Sequence, residues 1–123
     1  MPLIFSYGSL QEEPVQLSAF GHTLRGKPDQ LMDCVRRTIE VPKWHKAAQT
    51  GLTHYATVTF ARGSGGRVPG TLLEVTDAEL VAADAYERDS DYVRVRVALA
   101  SGQSAWLYVS ATTVDSFKTA AKE

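Results

Sequence analysis

The sequence predicts an α+β domain built on a mixed sheet or small barrel with few helices. Three observations carry this reading. The chain enters a strand at once in Leu3-Ile4-Phe5-Ser6-Tyr7, short β-rich runs recur between Gly-containing turns, and the full helix-start signature falls in one place, Thr76-Asp77-Ala78-Glu79. A regular βαβ array would need a helical pattern between successive strands, and these runs follow one another without it. A length of 123 residues supports one hydrophobic core, so residues 1–123 are read as a single domain.

Leu3 to Tyr7 is apolar and stops at Gly8-Ser9, which marks a first strand ending in a tight turn. Gln11 to Phe20 reads as a short helix with Glu12 and Glu13 at its head, Pro14 tolerated near its first turn and Gly21 as its stop. His22 to Arg25 and Gln30 to Arg36 are expected to form a hairpin around the turn-rich tetrad Gly26-Lys27-Pro28-Asp29. Thr38 to Gly51 has no period and reads as an irregular loop.

Thr53 to Ala61 alternates as a strand, and Arg62-Gly63-Ser64-Gly65-Gly66 turns it into a hairpin with Val68 to Val75. Pro69-Gly70 predicts an edge or a bulge in that second strand. The capping box Thr76-x-x-Glu79 starts a helix that runs through Glu87. Beyond Asp89-Ser90-Asp91, the alternating Tyr92-Val93-Arg94-Val95-Arg96-Val97 is a half-buried strand, and Ser101-Gly102 turns it into Ala105 to Ser110. Thr112 to Glu123 is expected to be a terminal helix with Val114 and Phe117 facing inward.

Composition narrows the function. Apolar residues make up 44% and charged residues 22%, and the net charge is −1, so no strong field gathers phosphate backbones or anionic lipid. Neither nucleic acid nor membrane is expected as a partner. The opening Met1-Pro2-Leu3 lacks a basic n-region and no later run approaches a membrane span, so the expected location is the cytoplasm. The lone Cys34 excludes an internal disulfide and reads as a small core side chain. His22, His45 and His54 lack ligand spacing, so no metal site is expected, and Gly63-Ser64-Gly65-Gly66 lacks the Lys-Ser/Thr ending of a phosphate loop. Trp44 among Lys43, His45 and Lys46 is ordinary loop composition rather than an RNA platform.

Two features remain that bear on chemistry. The strand that runs into Tyr7-Gly8-Ser9-Leu10 and then a helix leaves successive backbone amides free to receive an anion, although a plain tight turn accounts for Gly8-Ser9 equally well. Glu87 shares a helix face with the core-facing Leu80, where a carboxylate is driven toward a higher pKa and becomes a competent proton shuttle. From spacing alone, the simpler alternative is a solvated helix-end Glu87 paired with Arg94 or Arg88. Asp84 reads as a local hydrogen-bonding partner at the helix end, and Arg94 as a residue that pairs on the sheet or holds Glu87 in place.

Taken together, Phe5-Ser6-Tyr7-Gly8-Ser9-Leu10, Gly70-Thr71-Leu72-Leu73-Glu74-Val75, Asp84-Ala85-Tyr86-Glu87 and Tyr92-Val93-Arg94 resemble, in order and spacing along nearly the whole chain, the γ-glutamylcyclotransferase-like family. That family also includes γ-glutamylamine cyclotransferases and AIG2-like proteins. The resemblance implies a small mixed β-barrel with flanking helices. It implies that Gly8, Ser9 and Leu10 offer amides to the α-carboxylate of a γ-glutamyl group, that Tyr7 lines the pocket with Tyr92 at its border, and that Glu87 is the acid/base. The partner implied is a small γ-glutamyl molecule, cyclised to 5-oxoproline with expulsion of an amine, and neither metal nor cofactor is required. A non-catalytic module that binds a small acid or a protein on the same fold is the rival reading. Thr38 to Gly51, which holds Trp44, His45 and Lys46, departs from the family pattern; it is a candidate for selecting the expelled amine and equally for a segment that only covers a sheet edge. Nothing in the sequence sets an oligomeric state.

Overall fold

A computed structural model describes residues 1–40, 54–88 and 91–117. Its strands and helices are β1 (Leu3–Ser6), α1 (Glu13–Phe20), β2 (Gly26–Met32), β3 (Cys34–Glu40), β4 (His54–Phe60), β5 (Arg67–Glu74), α2 (Asp77–Arg88), β6 (Tyr92–Ala98) and β7 (Ser104–Ser110), with a single 3-10 turn at Ser9–Gln11 between β1 and α1. Five strands form one sheet in the order β2-β5-β1-β7-β6, and β3 pairs with β4 in a second sheet. The large sheet is mixed: β1 runs antiparallel to β5, with Phe5 opposite Leu72, and parallel to β7, with Phe5 opposite Leu107.

Both faces of the large sheet are covered, which is why its inner strands read as continuous apolar runs rather than alternating ones. One face carries Ile4, Leu73 and Tyr108 against Ala83 and Leu80 of α2 and Val15 and Phe20 of α1. The other carries Phe5, Leu72, Leu107 and Val109 against Cys34, Val58 and the downstream Val114 and Phe117. Phe5 is 1% exposed and Leu107 fully buried. Each such side chain contributes roughly 1.5–3 kcal/mol by leaving water. Cys34 is one of these core groups, and burial pushes its thiol up to about 11.

Several expectations are corrected here. The strands do not close into a barrel. The edge strand β2 meets the chain leaving β6 at one bridge, Leu31 to Leu99, with Ala100 donating its amide to Gln30 and Ser101 Oγ donating to Asp29 at 2.6 Å. The Ser101-Gly102 turn then reverses the chain, so the contact cannot lengthen into a ladder.

Gly26-Lys27-Pro28-Asp29 is not a turn but the first half of β2, and His22 to Arg25 lies outside any strand. Nonlocal pairing accounts for this. Lys27 lies opposite Leu72 and Asp29 opposite Gly70, and Pro28 is tolerated because β2 is an edge. The reversal falls instead at Asp33, whose φ of 56° sends the chain from one sheet to the other.

Nor do the two expected hairpins form. β2 pairs with β5 inside the large sheet and β4 with β3 inside the small one, so the strands on either side of Asp33, and those on either side of Arg62–Gly66, lie in different sheets. β5 is an inner strand, yet β1 stops opposite Thr71, so Pro69 is flanked by β2 alone and sits at a local edge. Of the loop expected from Thr38 to Gly51, residues up to Glu40 belong to β3 and the rest lies outside the described residues.

The α2 capping box forms as expected: Thr76 N donates to Glu79 Oε1 at 2.8 Å and Glu79 N to Thr76 Oγ1 at 3.1 Å. Gly21 ends α1 with a φ of 82°. Residues 111–114 turn and 115–117 are helical, burying Val114 and Phe117. Among the described residues, no helix is long and apolar enough to cross a membrane.

Candidate active site

The end of β1 opens into a cavity of about 600 Å³. Tyr7, Gly8, Ser9, Leu10, Glu87 and Tyr92, the residues singled out from the sequence, all line it. Four elements bring them there: the turn after β1, the last turn of α2, the start of β6 and the small sheet, which contributes Arg36 and Ala56.

Local bonds shape the turn. The carbonyls of Gly8 and Ser9 accept the amides of Gln11 and Glu12, closing the 3-10 turn, while Gly8 N donates to Ser6 Oγ at 3.3 Å. The amides of Ser9 and Leu10 have no protein acceptor among the described residues, as expected for the first residues of a helical turn. Buried Gln16 fixes this turn from below, donating to the Leu10 carbonyl at 2.8 Å and accepting the Leu24 amide at 2.9 Å. Gln11 ties it to β5, with its amide nitrogen on the Gly8 carbonyl and its oxygen accepting from Thr71 Oγ1 at 2.9 Å.

Gly70 sets how closely β5 approaches the end of β1. A Cβ there would lie 2.3 Å from the Ser6 carbonyl oxygen and 2.6 Å from the Phe5 ring, so only glycine fits.

Glu87 is half-buried and has no hydrogen bond or ion pair among the described residues. Removal from water pushes its carboxyl up to about 7 from an ordinary 4.5. The pairing with Arg94 or Arg88 that spacing alone favoured does not form. Arg94 goes to Asp84, Nη1 to Oδ2 at 3.1 Å, and stacks 4.3 Å from the Trp106 ring. Asp84 also accepts the Tyr108 hydroxyl at 2.7 Å, so its carboxylate joins α2 to β6 and β7.

The phenols on the wall are committed. Tyr7 donates its hydroxyl to the Tyr108 carbonyl at 2.8 Å, and burial drives its pKa well above the usual range. Tyr92 donates to the Ala56 carbonyl, bridging β6 to β4. Neither is placed to move protons.

Sequence reasoning missed Arg36, Ala56, Tyr86 and Tyr108. Tyr86, whose hydroxyl meets Ser9 Oγ at 3.2 Å, adjoins Glu87 and was within reach of the motif. Arg36 carries no local signal, because the crossing that brings β3 to the cavity depends on Asp33. Among the described residues, no group of three or more His, Cys, Asp or Glu side chains could hold a metal ion. His22 instead hydrogen-bonds Glu79.

Known proteins share this architecture. A solution structure from Arabidopsis thaliana superposes with a TM-score of 0.70 at 23% identity, covering 94% of this chain and 67% of that one. A second from the same plant gives 0.67 at 20% identity, covering 98% and 83%. A protein named gamma-glutamyl cyclotransferase gives 0.62 at 19% identity over 88% of this chain, which spans 65% of that protein's length. At these identities the likeness speaks to the fold alone. No curated protein matches at a significant level. Residues 4–122 match the family described as "Gamma-glutamyl cyclotransferase, AIG2-like". With that match over nearly its whole length, and with the fold of those structures, this chain belongs to the γ-glutamyl cyclotransferase, AIG2-like family.

Proposed function

We propose that this protein is a cofactor-independent γ-glutamyl cyclotransferase, converting a γ-glutamyl amine or peptide to 5-oxoproline and a free amine. The observation that carries the reading is Glu87, a half-buried carboxyl without a partner among the described residues, titrating near 7 on the wall of the same cavity as the unpaired Ser9 and Leu10 amides.

In this reading, the amides of Ser9 and Leu10 receive the substrate's α-carboxylate, and Tyr7 and Tyr92 form rigid walls. Gly8 shapes the turn, its own amide already directed to Ser6 Oγ. The substrate's α-amine attacks its own γ-carbonyl carbon. A C–N bond forms to close the five-membered ring, and the C–N bond to the original amine breaks. Glu87 as carboxylate takes a proton from the attacking nitrogen and, as acid, gives one to the leaving nitrogen. The hydrogens lost from the α-ammonium end on the expelled amine, and no water is consumed. Because both reacting groups belong to one molecule, a held geometry does much of the work.

The test is direct. Purified protein is incubated with γ-glutamyl amines and dipeptides, and 5-oxoproline is measured. Turnover should fall by roughly 10²–10⁴-fold in Glu87→Gln, the usual scale for losing a general acid/base. Equal product from both proteins would remove Glu87 from the mechanism. Binding of these compounds without any 5-oxoproline would favour the non-catalytic module.

A further inference from the structure

Arg36 is the only cation on the cavity wall among the described residues, and the reaction above does not use it. β3 carries it to the end of β1, where Nη1 donates to the Tyr7 carbonyl at 3.2 Å and the guanidinium carbon lies 6.0 Å from the Tyr7 ring centroid. These contacts hold the head in place and use part of its N–H fork. Its other donors meet no protein acceptor among the described residues. A planar fork with free donors facing a cavity matches a carboxylate, which can take two parallel hydrogen bonds.

Position says which carboxylate. Arg36 comes from the small sheet and Glu87 from α2, two elements that cover opposite faces of the large sheet, and both line the cavity. Burial alone accounts for the state of the Glu87 carboxyl, whereas a guanidinium beside it would pull it down. A γ-glutamyl group held between the Ser9-Leu10 amides and Glu87 therefore leaves Arg36 to the other half of the substrate. Glu12 also lines the cavity and, like Arg36, is exposed, but no hydrogen bond fixes its side chain among the described residues, whereas the Tyr7 carbonyl anchors Arg36.

We propose that Arg36 binds a carboxylate on the expelled half of the substrate, so that the protein prefers γ-glutamyl amino acids and peptides to γ-glutamyl amines that carry no acid. This rests on the cyclotransferase reading of the site.

The experiment separates the two ideas by measuring binding apart from turnover. In a Glu87→Gln background, γ-glutamylalanine and γ-glutamylethylamide are titrated calorimetrically with Arg36 present, with Arg36→Gln and with Arg36→Lys. The dipeptide should bind about 10- to 100-fold more tightly than the amide when Arg36 is present, the scale of a charged hydrogen bond. Arg36→Gln should erase that preference while leaving amide binding intact, which also shows that the variant is folded, and Arg36→Lys should retain part of it. Equal affinities with Arg36 present, no binding of either compound, or equal losses for both in Arg36→Gln would overturn the inference. A preference in binding without 5-oxoproline release by the wild type would leave Arg36 as the carboxylate reader and overturn the reaction instead.

Discussion

Arg94 pairs with Asp84 at 3.1 Å, one turn before Glu87 on α2, and among the described residues no cation pairs with Glu87. That division of labour keeps the burial of Glu87 unopposed. A guanidinium directed to Glu87 would stabilise the carboxylate and weaken it as a proton donor.

The first expectation follows from that burial. The folded-state pKa of Glu87, about 7, lies above its ordinary 4.5. The protonated group is therefore favoured by folding, and that stability is present at low pH and lost as pH rises through 7. Removing the charge by Glu87→Gln should change stability little at pH 4 and raise it at pH 8, by at most about 3 kcal/mol and less with solvent screening. Paired urea melts of the two proteins at the two pH values check it. A variant less stable than wild type at pH 8 would mean that Glu87 has a stabilising partner.

Asp84→Asn should act through two neighbours at once. Loss of the ion pair to a half-exposed Arg94 costs on the order of 1 kcal/mol. Asp84 lies one turn before Glu87 on α2, so an Arg94 freed from it is expected to turn toward Glu87 and draw its pKa down. The acidic limb of kcat/KM, expected near pH 7 in the wild type, should then move to lower pH. An unmoved limb with lower stability would confine Asp84 to holding the fold.

In the proposed mechanism Ser9 offers its backbone rather than its hydroxyl. Its Oγ meets Tyr86 in an exposed contact, worth about 1 kcal/mol at most. Ser9→Ala should therefore lower turnover by no more than roughly 5-fold. Loss as deep as that of Glu87→Gln, with binding unchanged, would instead mark serine as a nucleophile.

Gly70→Ala should be costly despite adding one methyl. The new Cβ would lie 2.3 Å from the Ser6 carbonyl, backbone that cannot yield without moving the end of β1. A loss of about 1–3 kcal/mol is expected from such overpacking. Turnover measured well below the melting temperature should also fall, because the same shift displaces the turn at Ser9 and Leu10.

The sequence made some of this legible and hid the rest, for identifiable reasons. The capping box was readable because Thr76 and Glu79 satisfy each other within one turn. The turn after β1 and the inward Glu87 were likewise local patterns. β2 was misread because Gly26, Lys27 and Pro28 have turn chemistry in isolation and become a strand only by pairing with Leu73, Leu72 and Thr71. Arg36 was invisible for a related reason: whether it reaches the cavity depends on Asp33 sending the chain into the second sheet. The barrel implied by family resemblance failed at Leu99, where one bridge replaces a ladder.

β1 lies between β5 and β7, and its parallel partner, β7, is the last of the described strands. On the ribosome it emerges before both of its partners: Ile4 finds Leu73 only after β5 emerges, and Trp106 only after β7 does. The turn that depends on β1 inherits this delay, so the cavity can be assembled only once strands about seventy and a hundred residues downstream have found their places.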